Sequence, residues 1–130
     1  MNLAPVLAAP PLVQAHIALA LVALVAGTGV LVAAKGTVFH RRLGAVFSAA
    51  MMLVAATSFG IAGLFPGHYS PIHLLSLLTL ATLPLAILAR RRGNVRAHAA
   101  GMILNYAGLA IAGVFTLLPP RVLNAALFGY

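Results

Sequence analysis

The stretch that decides the fold is LVQAHIALALVALVAGTGVLVAA, which runs from Leu12 to Ala34. It contains no charged residue, and it exceeds the roughly 20 residues that a helix needs to cross the hydrocarbon core of a bilayer. Lipid offers no hydrogen-bond partner to an open backbone, so a single uncharged run of this length crosses as a helix. The sequence therefore predicts a membrane-spanning helix over residues 12–34.

Three further uncharged runs of suitable length follow, over residues 43–65, 72–89 and 97–118. The connections between the four runs are short and contain glycine, proline and basic residues, as turns between antiparallel neighbours do. We therefore expect an all-α fold, an integral membrane four-helix bundle in up-down-up-down order. It would form a single transmembrane domain over residues 1–130.

The composition agrees with a membrane location and excludes several kinds of chemistry. The chain is 63% hydrophobic and 6% charged, whereas a soluble domain is about 25% charged. Cysteine, aspartate and glutamate are all absent, which rules out thiolate metal sites, carboxylate acid–base pairs and Ser-His-Asp triads. The net charge is +8. We expect the basic residues to set the orientation of the chain in the membrane and to contact anionic lipids, and we expect no nucleic-acid partner.

The basic residues predict the orientation of the chain in the membrane. Seven of the eight lie in the first and third connections, and Arg121 lies on the opposite side. By the positive-inside rule, both termini would lie outside the cell membrane, here expected to be a bacterial inner membrane. Residues 1–14 have no basic residue ahead of their apolar residues, so we expect mature sequence and not a cleavable signal peptide.

Each predicted helix carries one histidine, and the four histidines sort into two depths. His16 and His73 lie near the outer ends of the first and third helices, while His40 and His98 lie at the inner ends of the second and fourth. Alternate helices of such a bundle are diagonal partners, so the outer two can face each other across the core, and so can the inner two. A fifth, His68, lies in a connection and is expected to bind nothing.

Two imidazoles facing across a diagonal favour bis-histidine haem ligation. Neighbouring helix axes about 8–10 Å apart leave a diagonal of roughly 11–14 Å, which admits an iron between two rings. Basic residues that could pair with haem propionates stand beside the inner histidines, namely Arg41, Arg42 and Arg96. A small residue follows each histidine by about one helical turn, at Ala20, Gly44, Ser76 and Gly101.

Two other interpretations of the same residues stay open. Imidazole and thioether groups also suit copper, and His98 and Met102 share one helix face at i, i+4, which makes Met102 an alternative ligand to a metal or haem iron. The histidines could instead be structural, because small residues pack membrane helices and methionine fills gaps in apolar packing. Asn105, on nearly the same face as His98, is expected to form an interhelical hydrogen bond.

Three segments carry a resemblance to known proteins: HIALALVALVAGTGVLVAAKGTVFHRRLG, GHYSPIHLLSLLTLATLPLAILARRRGNVRAHAAGM and NYAGLAIAGVFTLLPPR. Over residues 16–121 the chain resembles a family of small bacterial membrane proteins catalogued as a domain of unknown function. More loosely, it resembles cytochrome b561, whose four-helix core holds two haems by one histidine per helix. That likeness implies the pairs His16 with His73 and His40 with His98.

The sequence thus predicts a transmembrane electron-transfer protein with one or two haem b groups. Its partners would be an inner donor and an outer acceptor, with quinone or a small redox donor among them, and it would serve as a component of a membrane oxidoreductase. The main alternative is a haem-free membrane protein that acts as a partner subunit or small transporter. A copper-binding membrane protein is the third.

Overall fold

The computed structural model describes residues 2–61, 71–119 and 121–129. These residues form helices joined by short turns, and the described part of the chain contains no strand. In chain order the helices are α1 (Ala4–Leu7), α2 (Pro11–Val32), α3 (Val38–Ser58), α4 (Pro71–Arg91), α5 (Val95–Phe115) and α6 (Val122–Phe128). The predicted all-α class is confirmed.

The four long helices are the predicted membrane spans. By length and composition, α2, α3, α5 and residues 72–91 of α4 can each cross a bilayer, so the chain is a multi-pass membrane protein. The second span differs most from its predicted range of 43–65, since α3 both begins and ends earlier. The cause of the early start is Thr37, whose hydroxyl accepts a hydrogen bond from the backbone N–H of His40 at 3.1 Å and caps the helix.

The same kind of cap begins α5. The side-chain oxygen of Asn94 accepts from the backbone N–H of Ala97 at 3.0 Å. Just before it, Gly93 adopts a left-handed backbone with φ of 79°, which a residue with a Cβ rarely does. Because these local signals begin α3 and α5 ahead of the predicted starts, His40 and His98 lie within the first turns of their helices.

Helices α2 to α5 pack as a bundle in which sequence neighbours are the main partners. Contacts are most extensive between α2 and α3 and between α4 and α5; α3 packs on α4, and α2 closes against α5. The centre is filled by Phe47 and Leu83, the largest fully buried side chains among the described residues, and by smaller residues and methionine around them. The four-helix bundle is therefore confirmed.

The helices α1 and α6 were not predicted. They pack against each other, and the backbone N–H of Asn2 donates to the carbonyl of Ala126 at 2.8 Å. Gln14 at the start of α2 donates to the carbonyls of Leu7 and Ala9 at 3.0 and 2.8 Å. This pair of short helices lies at the end of the bundle where α2 begins and α5 ends, which also carries His16 and His73.

Lys35 ends α2 in a way that the sequence analysis did not anticipate. Its ammonium group donates to the carbonyls of Val30 at 2.9 Å, Leu31 at 2.6 Å and Ala33 at 3.2 Å. The last carbonyls of a helix have no partner within the helix, and a cation there also opposes the negative end of the helix dipole. Lys35 therefore stabilises the C-terminus of α2 in addition to any role in topology.

We expect Lys35→Met to lower the free energy of unfolding by about 0.5–1 kcal/mol, because the carbonyls of the last turn lose a charged donor. The measurement is thermal unfolding in detergent micelles, followed by circular dichroism. Arg42→Met is the matched control, since Arg42 is an exposed cation near the start of α3, at the same end of the bundle. Equal effects of the two substitutions would show that only the loss of charge matters.

Candidate functional site

His16 is held by a hydroxyl of the neighbouring helix. Its Nδ1 lies 2.8 Å from the Oγ1 of Thr57 on α3, and this Oγ1 also lies 2.8 Å from the carbonyl oxygen of Leu53. The same Oγ1 lies 3.1 Å from the carbonyl oxygen of Val54. Because carbonyls only accept, the one hydroxyl proton of Thr57 goes to this pair of carbonyls, and the Nδ1–H of His16 donates to Thr57. The Nε2 of His16 then carries the ring's lone pair.

His73 lies at the contact between α3 and α4. It is 7% exposed, and its ring lies 5.7 Å from the ring of Phe59, centroid to centroid. One turn further along α4, the hydroxyl of Ser76 lies 2.6 Å from that of Ser58 in a buried hydrogen bond. The outer ends of α3 and α4 are thus joined beside His73. His68 lies outside the described residues.

At the opposite end of the bundle, His98 is held by a backbone carbonyl. Its Nδ1 lies 3.0 Å from the carbonyl oxygen of Ala86 on α4. Because the carbonyl can only accept, Nδ1–H is the donor and the Nε2 of His98 carries the lone pair. His16 and His98 therefore share one arrangement: Nδ1 protonated and anchored on a neighbouring helix, Nε2 basic.

The Nδ1 of His40 is buried and has no hydrogen-bond partner within the described residues. A buried polar atom without a partner costs free energy and calls for an explanation such as a water, an ion or a ligand. One turn along α3, a Cβ added to Gly44 would meet nothing within 4 Å. The open space therefore lies at Gly44, one helical turn from the partly buried His40.

The small residues near the other three histidines contribute to helix packing. A Cβ on Gly101 would lie 2.6 Å from the Cβ of Ala86, so this glycine lets α4 and α5 approach closely. Ser76 bonds to Ser58, and Ala20 packs against the buried core. Of the four small residues expected beside haem, Gly44 is the one that the structure leaves facing open space.

The predicted cation and metal residues lie as follows. Arg41 in the first turn of α3, Arg42 directly after it and Arg96 in the first turn of α5 are all exposed. Because the chain has no acidic residue, no carboxylate side chain can pair with them. Met102 packs against the buried core, as expected if it fills a gap in the apolar packing. Within the described residues, no group of three or more candidate ligands could hold a metal ion.

A polar contact near the middle of the bundle joins α4 to α5. The side-chain amide of Asn105 donates to Thr82 Oγ1 at 3.0 Å and to the carbonyl of Gly101 at 2.8 Å. This confirms the interhelical bond expected of Asn105.

The partners of His16 and His98 were not predicted. Thr57 is a polar residue inside a membrane span, but the sequence does not show which side chain it contacts, and a backbone carbonyl such as that of Ala86 cannot be recognised from the sequence.

The chain matches the family model described as "Predicted membrane protein (DUF2306)" over residues 13–128. No curated protein and no solved structure matches it. The resemblance to a family of membrane proteins of unknown function is confirmed, whereas the looser resemblance to cytochrome b561 finds no support in these comparisons. Any chemistry of the histidines must therefore be argued from the residues of this chain.

Proposed function

The chain belongs to the DUF2306 family of predicted membrane proteins; from the arrangement of its own histidines, we propose that it carries electrons across the membrane on b-type haem held by paired histidines. The ligand pairs would be His40 with His98 in the inner layer and His16 with His73 in the outer layer. The protein would lie in a bacterial inner membrane with both termini outside. Quinone or a small redox protein would exchange electrons with it.

The observation that carries the proposal is the shared anchoring of His16 and His98. Metal-bound histidine almost always donates its second ring N–H to a carbonyl, carboxylate or water, which fixes the tautomer and the direction of the ligating nitrogen. The Nδ1 of His98 makes such a bond to the carbonyl of Ala86 at 3.0 Å, and the Nδ1 of His16 makes a comparable bond to the hydroxyl of Thr57 at 2.8 Å. Each ring is thereby held with Nε2 basic and able to ligate iron.

The inner layer fits a haem better than the outer layer does. His40 has a buried ring nitrogen without a partner in the described part of the chain, and Gly44 beside it faces open space. Arg41 and Arg42 stand next to His40 and would meet the propionates. In the outer layer, the Ser58–Ser76 bond and the ring of Phe59 occupy space beside His73, so a haem there would require these side chains to move.

A bound haem would supply a one-electron carrier. The residues of this chain would do the rest. Thr57 and Ala86 hold the imidazoles in one tautomer, and the arginines would balance the charge of the propionates. The rings of Phe47 and Tyr106, packed in the core, would keep water out of the centre of the bundle. With no carboxylate in the chain, a proton accompanying the electron would have to travel on histidine or on the redox partner.

The test is a dithionite-reduced minus oxidised visible spectrum of protein purified in mild detergent from haem-replete cells, with total metal analysis of the same sample. We expect sharp α and Soret bands that fall in His40→Ala and His98→Ala, which would remove the inner haem, and that are unchanged in the control His68→Ala. Thr57→Val should weaken haem retention about tenfold in the outer layer, because it removes only the bond that orients His16.

A haem-free partner subunit or small transporter is the second candidate. It is favoured by the fact that the bonds of His16 and His98 each join two helices, as structural polar residues in membranes do. A flat spectrum with no bound metal would support this candidate and refute the haem proposal. A flat spectrum with bound copper that is lost in Met102→Leu would instead assign a copper-binding protein.

A further inference from the structure

A groove runs along the outer surface of the α4–α5 pair. Its volume is about 290 Å³, and it is lined by residues between Thr82 and Ala89 on α4 and between Ala97 and Leu104 on α5. The lining is almost entirely alkyl, with alanines and Gly101 forming the floor. The groove forms because the contact of Gly101 with Ala86 lets the two helices approach closely. The larger side chains of Leu85 and Leu104 line it on either side.

The groove continues into a second pocket at the basic end of the bundle. This pocket, of about 370 Å³, shares Leu85 and Ala89 with the groove and is completed by Leu88, Arg92 and Asn94. From Thr82 to Arg92 the path is about 15 Å long at 1.5 Å per residue. That is half of the roughly 30 Å hydrocarbon core, so the path has the length of one leaflet, apolar at depth and cationic at its mouth.

The charge at the mouth has no counterion within the protein. Arg90, Arg91, Arg92 and Arg96 cluster around the α4–α5 connection, and the chain contains no aspartate or glutamate. An anion that balances Arg92 must therefore come from outside the chain. An apolar slot that is one leaflet deep and ends at an unbalanced arginine matches a lipid with a negatively charged phosphate headgroup.

We propose that this path is a binding site for a single anionic phospholipid, with an acyl chain in the α4–α5 groove and the phosphate at Arg92. The site contains no histidine and does not depend on haem, although Ala86, whose carbonyl holds His98, is part of its lining. It differs from general attraction of basic loops to anionic membranes in two respects: one arginine of the cluster matters more than its neighbours, and the fit of the acyl chain is required as well as the charge.

The test is native mass spectrometry of the full chain in mild detergent, incubated with equal amounts of phosphatidylglycerol and phosphatidylcholine that have the same acyl chains. We expect one phosphatidylglycerol to be retained about fivefold over phosphatidylcholine, and Arg92→Gln to abolish this preference. Arg91→Gln is the matched control. Ala100→Phe should block retention of either lipid, whereas Ala99→Phe, next to it on α5 but outside the groove, should not.

Equal effects of Arg92→Gln and Arg91→Gln would overturn the proposal, because they would reduce the preference to the summed charge of the connection. Equal effects of Ala100→Phe and Ala99→Phe would overturn it as well, since the groove would then play no part. A neutral isoprenoid quinone could be retained instead. If Ala100→Phe abolished its retention and Arg92→Gln did not, the quinone would be the occupant of the groove and the lipid assignment would be refuted.

Discussion

Truncation of Phe47 to alanine is expected to lower the free energy of unfolding by about 3 kcal/mol, the lower end of the range for Phe→Ala in protein cores. Phe47 is 2% exposed, and its ring lies 6.4 Å from that of Tyr106, centroid to centroid. In a bilayer the transfer of the ring out of water contributes little, because the lipid is apolar too. The expected cost therefore comes from dispersion, since the side chains around the new cavity would no longer have ring atoms to pack against.

The measurement for Phe47→Ala is unfolding in mixed micelles with increasing sodium dodecyl sulfate, followed by circular dichroism. Phe39→Ala is the matched control, because Phe39 lies on the same helix and is 62% exposed. We expect the control to change the midpoint little. A cost for Phe47→Ala no larger than that of the control would mean that the centre of the bundle is not packed around this ring.

Substitution of Gly101 by valine is expected to cost about 2 kcal/mol or more, through overpacking between α4 and α5. The Cβ alone would lie 2.6 Å from the Cβ of Ala86 and 3.5 Å from its Cα. Neither atom belongs to a flexible side chain, so the two helices must separate. The 3.0 Å bond from His98 to the carbonyl of Ala86 should lengthen at the same time.

Unfolding in mixed micelles also tests Gly101→Val, together with the nitrogen-15 spectrum of labelled histidine, which reports the tautomer of His98. Gly113→Val is the control, since a Cβ at Gly113 on the same helix would meet nothing within 4 Å. Both variants replace a glycine of α5 by valine, so the change in helix propensity is similar in the two. If Gly113→Val cost as much as Gly101→Val, close helix packing at Gly101 would be disproved.

The spans could be predicted because a long uncharged run in lipid must satisfy its backbone hydrogen bonds internally and therefore forms a helix. Such runs can be recognised directly in the sequence. The start of α3 could not be placed by the same rule, since charge is what marks the end of an uncharged run and Arg41 and Arg42 lie inside the helix. The stronger local signal was the cap at Thr37. The short helices α1 and α6 lack the length that makes a span recognisable.

For the candidate site, the sequence established that each span carries a histidine and at which end of the span it lies. The partners of those histidines depend on helix rotation and on backbone atoms, neither of which the sequence displays. Ala86 is an example, because its side chain is inert and its carbonyl is what holds His98. Gly101 is another example, because it allows α4 and α5 to pack closely and does not leave space for a cofactor.

The pattern of helix packing also bears on how the chain is made. The most extensive contacts are between α2 and α3 and between α4 and α5, which are consecutive in the order of synthesis. Each hairpin can therefore assemble as soon as its second helix leaves the ribosome, without waiting for distant sequence. The docking of α3 on α4 then joins two finished halves, so biogenesis of this membrane protein would proceed hairpin by hairpin.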